Sequence, residues 1–131
     1  MSNKLFKIAT FSGILTIQDG ESTVPQIPFV KKEKIKVANL PQTIKTVGDY
    51  AFANCYNLEN VTLNEGLAEI GKQAFASCAK LQSVRIPQSV TKIGATPFYN
   101  CRNLKTIYVS KSTSLDKAAL CESTGAKVVE Y

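Results

Sequence analysis

The stretch Ile70-Gly71-Lys72-Gln73-Ala74-Phe75-Ala76-Ser77-Cys78-Ala79-Lys80-Leu81 decides the fold, because it is the middle copy of three. Val47-Gly48-Asp49-Tyr50-Ala51-Phe52-Ala53-Asn54-Cys55-Tyr56-Asn57-Leu58 precedes it by 23 residues, and Ile93-Gly94-Ala95-Thr96-Pro97-Phe98-Tyr99-Asn100-Cys101-Arg102-Asn103-Leu104 follows at the same interval. Working outward, Leu40-Pro41-Gln42-Thr43-Ile44 returns as Ile86-Pro87-Gln88-Ser89-Val90, with Leu63-Asn64-Glu65-Gly66-Leu67 between them. Eight columns keep their chemical type three times running between residues 40 and 109, and a period of this length means a solenoid.

Each column has a physical reason. Leu58-x-x-Val61-x-Leu63 and its copies from Leu81 and Leu104 end in an alternation that puts two apolar side chains on one side of a short strand. Stacked copies make a parallel sheet. A second extended piece runs from Ile44 to Val47, after which Gly48, Gly71 and Gly94 are expected to let the backbone turn sharply. Phe and Cys, three apart, suit one turn of 3₁₀ or α-helix, with Phe filling the coil centre and Cys closing it.

The pattern Ile-Gly-x-x-Ala-Phe-x-x-Cys-x-x-Leu resembles the bacterial surface-antigen, or BspA-like, type of leucine-rich repeat, and Ile70 to Leu81 matches it at every fixed position. The resemblance implies an α/β repeat solenoid: a right-handed leucine-rich-repeat coil with short parallel strands, short helical turns and non-repeat caps. Pro97 stands where Ala is usual, and Asn64-Glu65-Gly66 replaces the Pro-x-Ser around Pro87. By resemblance the function is protein–protein interaction, including adhesion at a cell surface. The alternative is a small intracellular inhibitor, of phage type, docking on a larger target.

Three segments follow: 1–39 with N-terminal strands and a degenerate capping coil, 40–109 with three repeats, and 110–131 as a helix–strand cap. Stepping back one period pairs Ile17 with Leu40, Val24 with Val47, Phe29 with Phe52 and Ile35 with Leu58, while the glycine and cysteine columns become Pro25 and Lys32. Lys4 and Lys7 precede an apolar stretch from Ile8 to Ile17, which reads as a strand pair because Thr10, Ser12, Gly13 and Thr16 interrupt it and no small-x-small cleavage site follows. At the other end, Ser112-Thr113-Ser114 can cap a helix from about Leu115 to Ser123, stopped by Gly125, before a last strand from Ala126 to Tyr131.

Composition narrows the chemistry. The 131 residues contain no histidine, which closes Ser-His-Asp, Cys-His and HExxH routes and makes an enzyme unexpected. Cys55, Cys78 and Cys101 are one structural position repeated, without the close pairs a zinc site needs, so no cofactor or metal is expected; Cys121 lies outside that ladder. Asp49, Glu59, Glu65 and Glu69 occupy different columns on solvated turns and form no catalytic pair.

Lys and Arg number 16 against 10 Asp and Glu, a net charge of +6 that favours an acidic protein partner. No specific nucleic-acid binding is expected, because the repeats carry only seven basic against four acidic residues between 40 and 110. The one dense basic run, Lys31-Lys32-Glu33-Lys34-Ile35-Lys36, should decorate a solvated turn or strand edge. No stretch reaches the roughly 20 apolar residues of a membrane-spanning helix, so no insertion is expected. Localisation is expected to be cytoplasmic for a complete chain and the bacterial surface for a fragment or exported one.

Partner-binding candidates come from the outward strand columns and the turn ridge. Val37, Asn60, Ser83 and Thr106 form one outward column, and Asn39, Thr62, Arg85 and Tyr108 the next. On the ridge, Tyr50, Tyr56, Tyr99 and Arg102 are expected to be exposed, and Tyr and Arg are frequent interface anchors. Lys32 and Lys34 complete the set as a basic patch.

Overall fold

The structure, a computed structural model, describes residues 8–17, 20–27 and 32–131. The chain coils as a parallel-strand solenoid with three sides to each turn. The front side carries β1 (Ile8–Phe11), β2 (Ile14–Ile17), β4 (Val37–Asn39), β6 (Asn60–Thr62), β8 (Ser83–Arg85), β10 (Thr106–Val109) and β11 (Lys127–Glu130). The back side carries the two-residue strands β3 (Thr23–Val24), β5 (Thr46–Val47), β7 (Glu69–Ile70) and β9 (Lys92–Ile93). Back strands pair in parallel one period apart, Val24 with Val47, Val47 with Ile70 and Ile70 with Ile93. The degenerate first coil therefore keeps the register of the clear repeats; Phe29, its expected centre, lies outside the described residues.

The third side, the ridge from Gly48 to Leu58 and its copies, was expected to be a short helical turn. Instead it is a run of β-turns. Ala51 N–H donates to Gly48, Ala53 to Tyr50, Cys55 to Phe52 and Leu58 to Cys55, always three residues back. Tyr50, Gln73 and Thr96 have φ of 58°, 47° and 41°, and Asn54, Ser77 and Asn100 have φ of 66°, 59° and 58°. Two left-handed residues per coil prevent a helix and turn alternate amide groups outward. Those groups join coil to coil: Tyr50, Phe52 and Asn54 N–H donate to the carbonyls of Lys72, Ala74 and Ala76 at 2.7 to 2.9 Å. Pro97, in the Ala51 and Ala74 column, lacks the N–H that closes the first turn in those coils and still accepts from Phe75 N–H through its carbonyl.

Inside, Phe52, Phe75 and Phe98 are fully buried and stack with ring centroids 5.2 and 5.5 Å apart. Close approach of successive coils explains the glycines better than a sharp turn does. Gly48, Gly71 and Gly94 have no positive φ, yet a Cβ at Gly71 would lie 2.5 Å from Asp49 N and one at Gly94 2.4 Å from Lys72 N. A methyl group there would push the preceding coil away.

The two ends differ. At the first, β1 pairs antiparallel with β2 through Ser12 and Gly13, both at positive φ, and β2 joins β4 in parallel. At the other, β11 pairs in parallel with β10, Val128 opposite Ile107, so the C-terminal cap adds a further rung to the front side. Its helix, α1 (Lys117–Leu120), is shorter than expected and is capped by Asp116, whose side chain accepts from Ala118 N–H, and not by the Ser112-Thr113-Ser114 run. Lys117 pairs with Glu130, tying helix to strand and holding that carboxyl below its ordinary value.

Candidate functional site

Strand alternation sends Asn60, Thr62, Arg85 and Tyr108 to the exposed front, with Thr106 half-buried among them. Register places Thr106 beside Ser83 and Tyr108 beside Arg85. Arg85 is not free to sweep the surface. Its Nη1 lies 3.1 Å from Glu65 Oε2, and its guanidinium sits over the Tyr131 ring, 4.2 Å from the centroid. Tyr131 is itself fixed by donating its hydroxyl to Ile86 O at 2.9 Å. Neither Tyr131 nor Glu65 was a sequence candidate: Tyr131 lies beyond the last clear column, and Glu65 looked like one more solvated acid.

The front side is divided. β2, β4 and β6 form one hydrogen-bonded sheet with β1 at its edge, β8, β10 and β11 form another, and β6 is not bonded to β8. At other rungs two consecutive N–H groups converge on one carbonyl of the previous coil, as Glu59 and Asn60 do on Lys36 O and Lys105 and Thr106 on Gln82 O. Gln82 and Ser83 make no such bonds to Glu59 O. A polar depression of about 440 Å³ opens along the seam, lined by Glu59, Asn60, Lys80, Gln82, Ser83 and Asn103.

A side-chain substitution accompanies the seam. Asn57 Nδ2 donates to Glu33 O at 2.8 Å and Asn103 Nδ2 to Ala79 O at 2.6 Å, each clamping its coil to the one before. The residue in that column of the intervening coil is Lys80, whose ammonium has no partner among the described residues. The clamp is missing where the sheet divides. Val61, inward on β6, is correspondingly only half-buried, whereas Ala38, Val84 and Ile107 are buried.

On the ridge, Tyr56 and Tyr99 are 52% and 47% exposed, and Arg102 is exposed in the Tyr56 column with Ala79 between them. Tyr50 is half-buried, with Lys72 Nζ 5.9 Å from its ring centroid. The basic patch separates into two environments. Lys34 is exposed, but Lys32 is only 7% exposed, against the expectation of a solvated turn, because it holds the inward column that Cys55, Cys78 and Cys101 fill in later coils.

The cysteines do more than fill space. Cys78 Sγ donates to Phe52 O at 3.2 Å and Cys101 Sγ to Phe75 O at 2.9 Å, so each thiol ties its coil to the preceding one. Burial pushes the Cys55 thiol up to about 12, with a smaller opposing effect from Lys32. Hydrogen bonding with Cys101, then burial, holds Cys78 well above the ordinary thiol range, while that same contact draws Cys101 down. All four cysteines are free thiols, and Cys121 is half-buried in the C-terminal cap. Among the described residues no group of three or more Cys, Asp or Glu side chains is placed to hold a metal ion, and no helix is long and apolar enough to cross a membrane.

Stacked short strands, a ring ladder and clamped turns define a leucine-rich-repeat solenoid. The family model of the BspA type leucine rich repeat region matches residues 3–129 in six copies. The chain belongs to this family. Its match includes the C-terminal segment, in agreement with the extra parallel rung of β11. Among solved structures, a leucine rich cell surface protein of Faecalibacterium prausnitzii is 35% identical over 64% of this chain and 22% of its own, with a TM-score of 0.58. A leucine-rich repeat protein of Eubacterium ventriosum shares the fold along 99% of this chain and 41% of its own, at 20% identity and a TM-score of 0.70. The pneumococcal vaccine antigen PcpA does so along 94% of this chain and 34% of its own, at 21% identity and a TM-score of 0.56. The chain thus spans less than half the length of these three proteins. No curated protein matches it.

Proposed function

We propose that the protein is a non-catalytic interaction module that binds a protein partner through its front side, with Arg85 and Tyr108 as the central anchors. The observation that supports this most directly is the in-register, exposed pair on β8 and β10, one member of which is already ordered by Glu65 and Tyr131. A guanidinium held in place loses less conformational entropy on binding than a free one, so the geometry favours recognition. Asn60, Thr62 and Thr106 supply hydrogen-bonding groups around the pair. The seam depression adds a polar notch beside them, with one acid and one base in its lining. Resemblance to a cell surface protein supports adhesion as the setting, with a protein of the opposing surface as partner.

Affinity capture from bacterial lysate and from host extracellular protein tests the reading. A partner held by the natural sequence should bind at least about tenfold more weakly to Tyr108→Ala, as expected of an interface anchor. Tyr99→Ala, on the ridge, should leave capture unchanged. Loss with Tyr99→Ala and retention with Tyr108→Ala would move the binding surface to the ridge.

A further inference from the structure

One inward column contains a residue that its fold does not need. Positions 55, 78 and 101 are buried cysteines, and position 32, one period before Cys55, is a buried lysine. Among the described residues Lys32 has no hydrogen bond or ion pair. Its neighbour Cys55 remains a neutral thiol through the physiological range and offers no counter-charge. Fixing a long lysine stem in this column, with its ammonium left to reach solvent, costs more side-chain entropy than a thiol or methyl-bearing side chain would. Positions that break a structural column without compensation are where a binding role is to be sought.

Lys32 also lines a pocket. Together with Glu33, Asn54, Tyr56 and Asn57 it encloses about 200 Å³, room for one side chain and not for a folded-over peptide or a nucleotide. The walls are held by the clamp from Asn57 Nδ2 to Glu33 O and by Asn54 N–H donating to Ala76 O. Tyr56 stands at the rim with half its surface exposed, able to cover the apolar stem of an entering group. The lining is largely apolar; Lys32 brings its one positive charge, and Asn54 and Asn57 bring side-chain amides, each with donor and acceptor capacity. Glu33 places one negative charge at the edge, which disfavours a doubly charged phosphate and leaves a singly charged carboxylate as the matching ligand.

We infer that this pocket, centred on Lys32 and flanked by Tyr56, seats the carboxylate of an aspartate or glutamate side chain presented by a protein partner. The inference rests on the interaction-module reading but uses a different surface from the front-side anchors. The net charge of +6 agrees with an acidic partner.

The test is a titration of the ¹⁵N-labelled full chain, followed by amide shifts, with acetyl-Ala-Glu-Ala-amide, its Gln counterpart, acetate and inorganic phosphate as probes. The Glu peptide should shift the amides of Glu33, Asn54, Tyr56 and Asn57, and the Gln peptide should bind at least tenfold more weakly. Lys32→Met should abolish the shifts while raising the melting temperature, since the column then becomes apolar throughout; Lys32→Arg should retain binding. No shift with the Glu peptide, equal shifts with the Gln peptide, or unchanged binding by Lys32→Met would overturn the site. Acetate or phosphate binding as tightly as the peptide would reduce it to an adventitious ion only. Any of these failures, with Tyr108→Ala still defective in partner capture, would leave the front-side reading intact.

Discussion

The front and back sides of this solenoid are built from the same repeats, yet only the back is continuous. β3, β5, β7 and β9 form one unbroken ladder, whereas the front divides between β6 and β8. On the back and the ridge, coils are pressed together by glycine contacts and backbone amide bonds, to which the ridge adds thiol and asparagine side-chain ties. Where each ridge runs into its front strand a side-chain clamp is added, and there Lys80 cannot do what Asn57 and Asn103 do. A backbone amide bond survives most side-chain changes at its position, whereas an asparagine clamp is lost with the asparagine.

Mutations can break or sharpen this contrast. Phe75→Ala removes the middle ring of the ladder and should cost about 3 to 5 kcal/mol in chemical denaturation. Gly71→Ala forces a methyl against the backbone of the preceding coil and should cost about 1 to 3 kcal/mol, while adding no contact on the front. Next comes a pH effect. Because the Cys55 thiol is raised in the folded state, its contribution is intact below its unfolded value near 9 and is lost as pH rises through about 12. Thermal melts should therefore show stability falling across that interval, by up to about 1.4 kcal/mol per pH unit per such thiol, with a shallower fall in Cys55→Ala.

Smaller effects bear directly on the seam. Asn103→Ala removes a clamp and should cost about 1 kcal/mol. Lys80→Asn should restore the missing one and gain a similar or smaller amount, with slower hydrogen exchange at the Gln82 and Ser83 amides. Unchanged exchange at those two amides would show that the clamp does not govern the seam. Asn60→Ala, exposed on β6, should change stability by less than about 0.5 kcal/mol.

Much of this architecture could be read in the residues themselves. The 23-residue columns located every front and back strand of the clear repeats, and the alternation at Asn60-Val61-Thr62 and Ser83-Val84-Arg85 assigned the outward faces correctly. The ridge was misread because Phe and Cys three apart fit a helical turn and a chain of β-turns equally well; the left-handed φ at Asn54, Ser77 and Asn100 distinguishes them and leaves little mark on composition. In sequence the repeated glycine reads as a turning residue, whereas in the structure it serves close approach, a distinction that depends on a neighbouring coil 23 residues away. Arg85 was legible as an outward residue, but its order was not, since Glu65 and Tyr131 reach it from outside its column. Lys32 was visible as the replacement in the cysteine column, and its basic neighbours disguised it as surface charge.

The side chains that donate to a backbone carbonyl of another coil share a direction. Asn57 reaches back to Glu33, Asn64 to Ile44 O at 3.0 Å, Cys78 to Phe52, Cys101 to Phe75, Asn103 to Ala79 and Tyr131 to Ile86. In each, the donor belongs to the later residue and the acceptor is a backbone carbonyl made earlier. A chain emerging from the ribosome therefore meets these acceptors already synthesised, and each new coil can lock onto its predecessor without waiting for its successor.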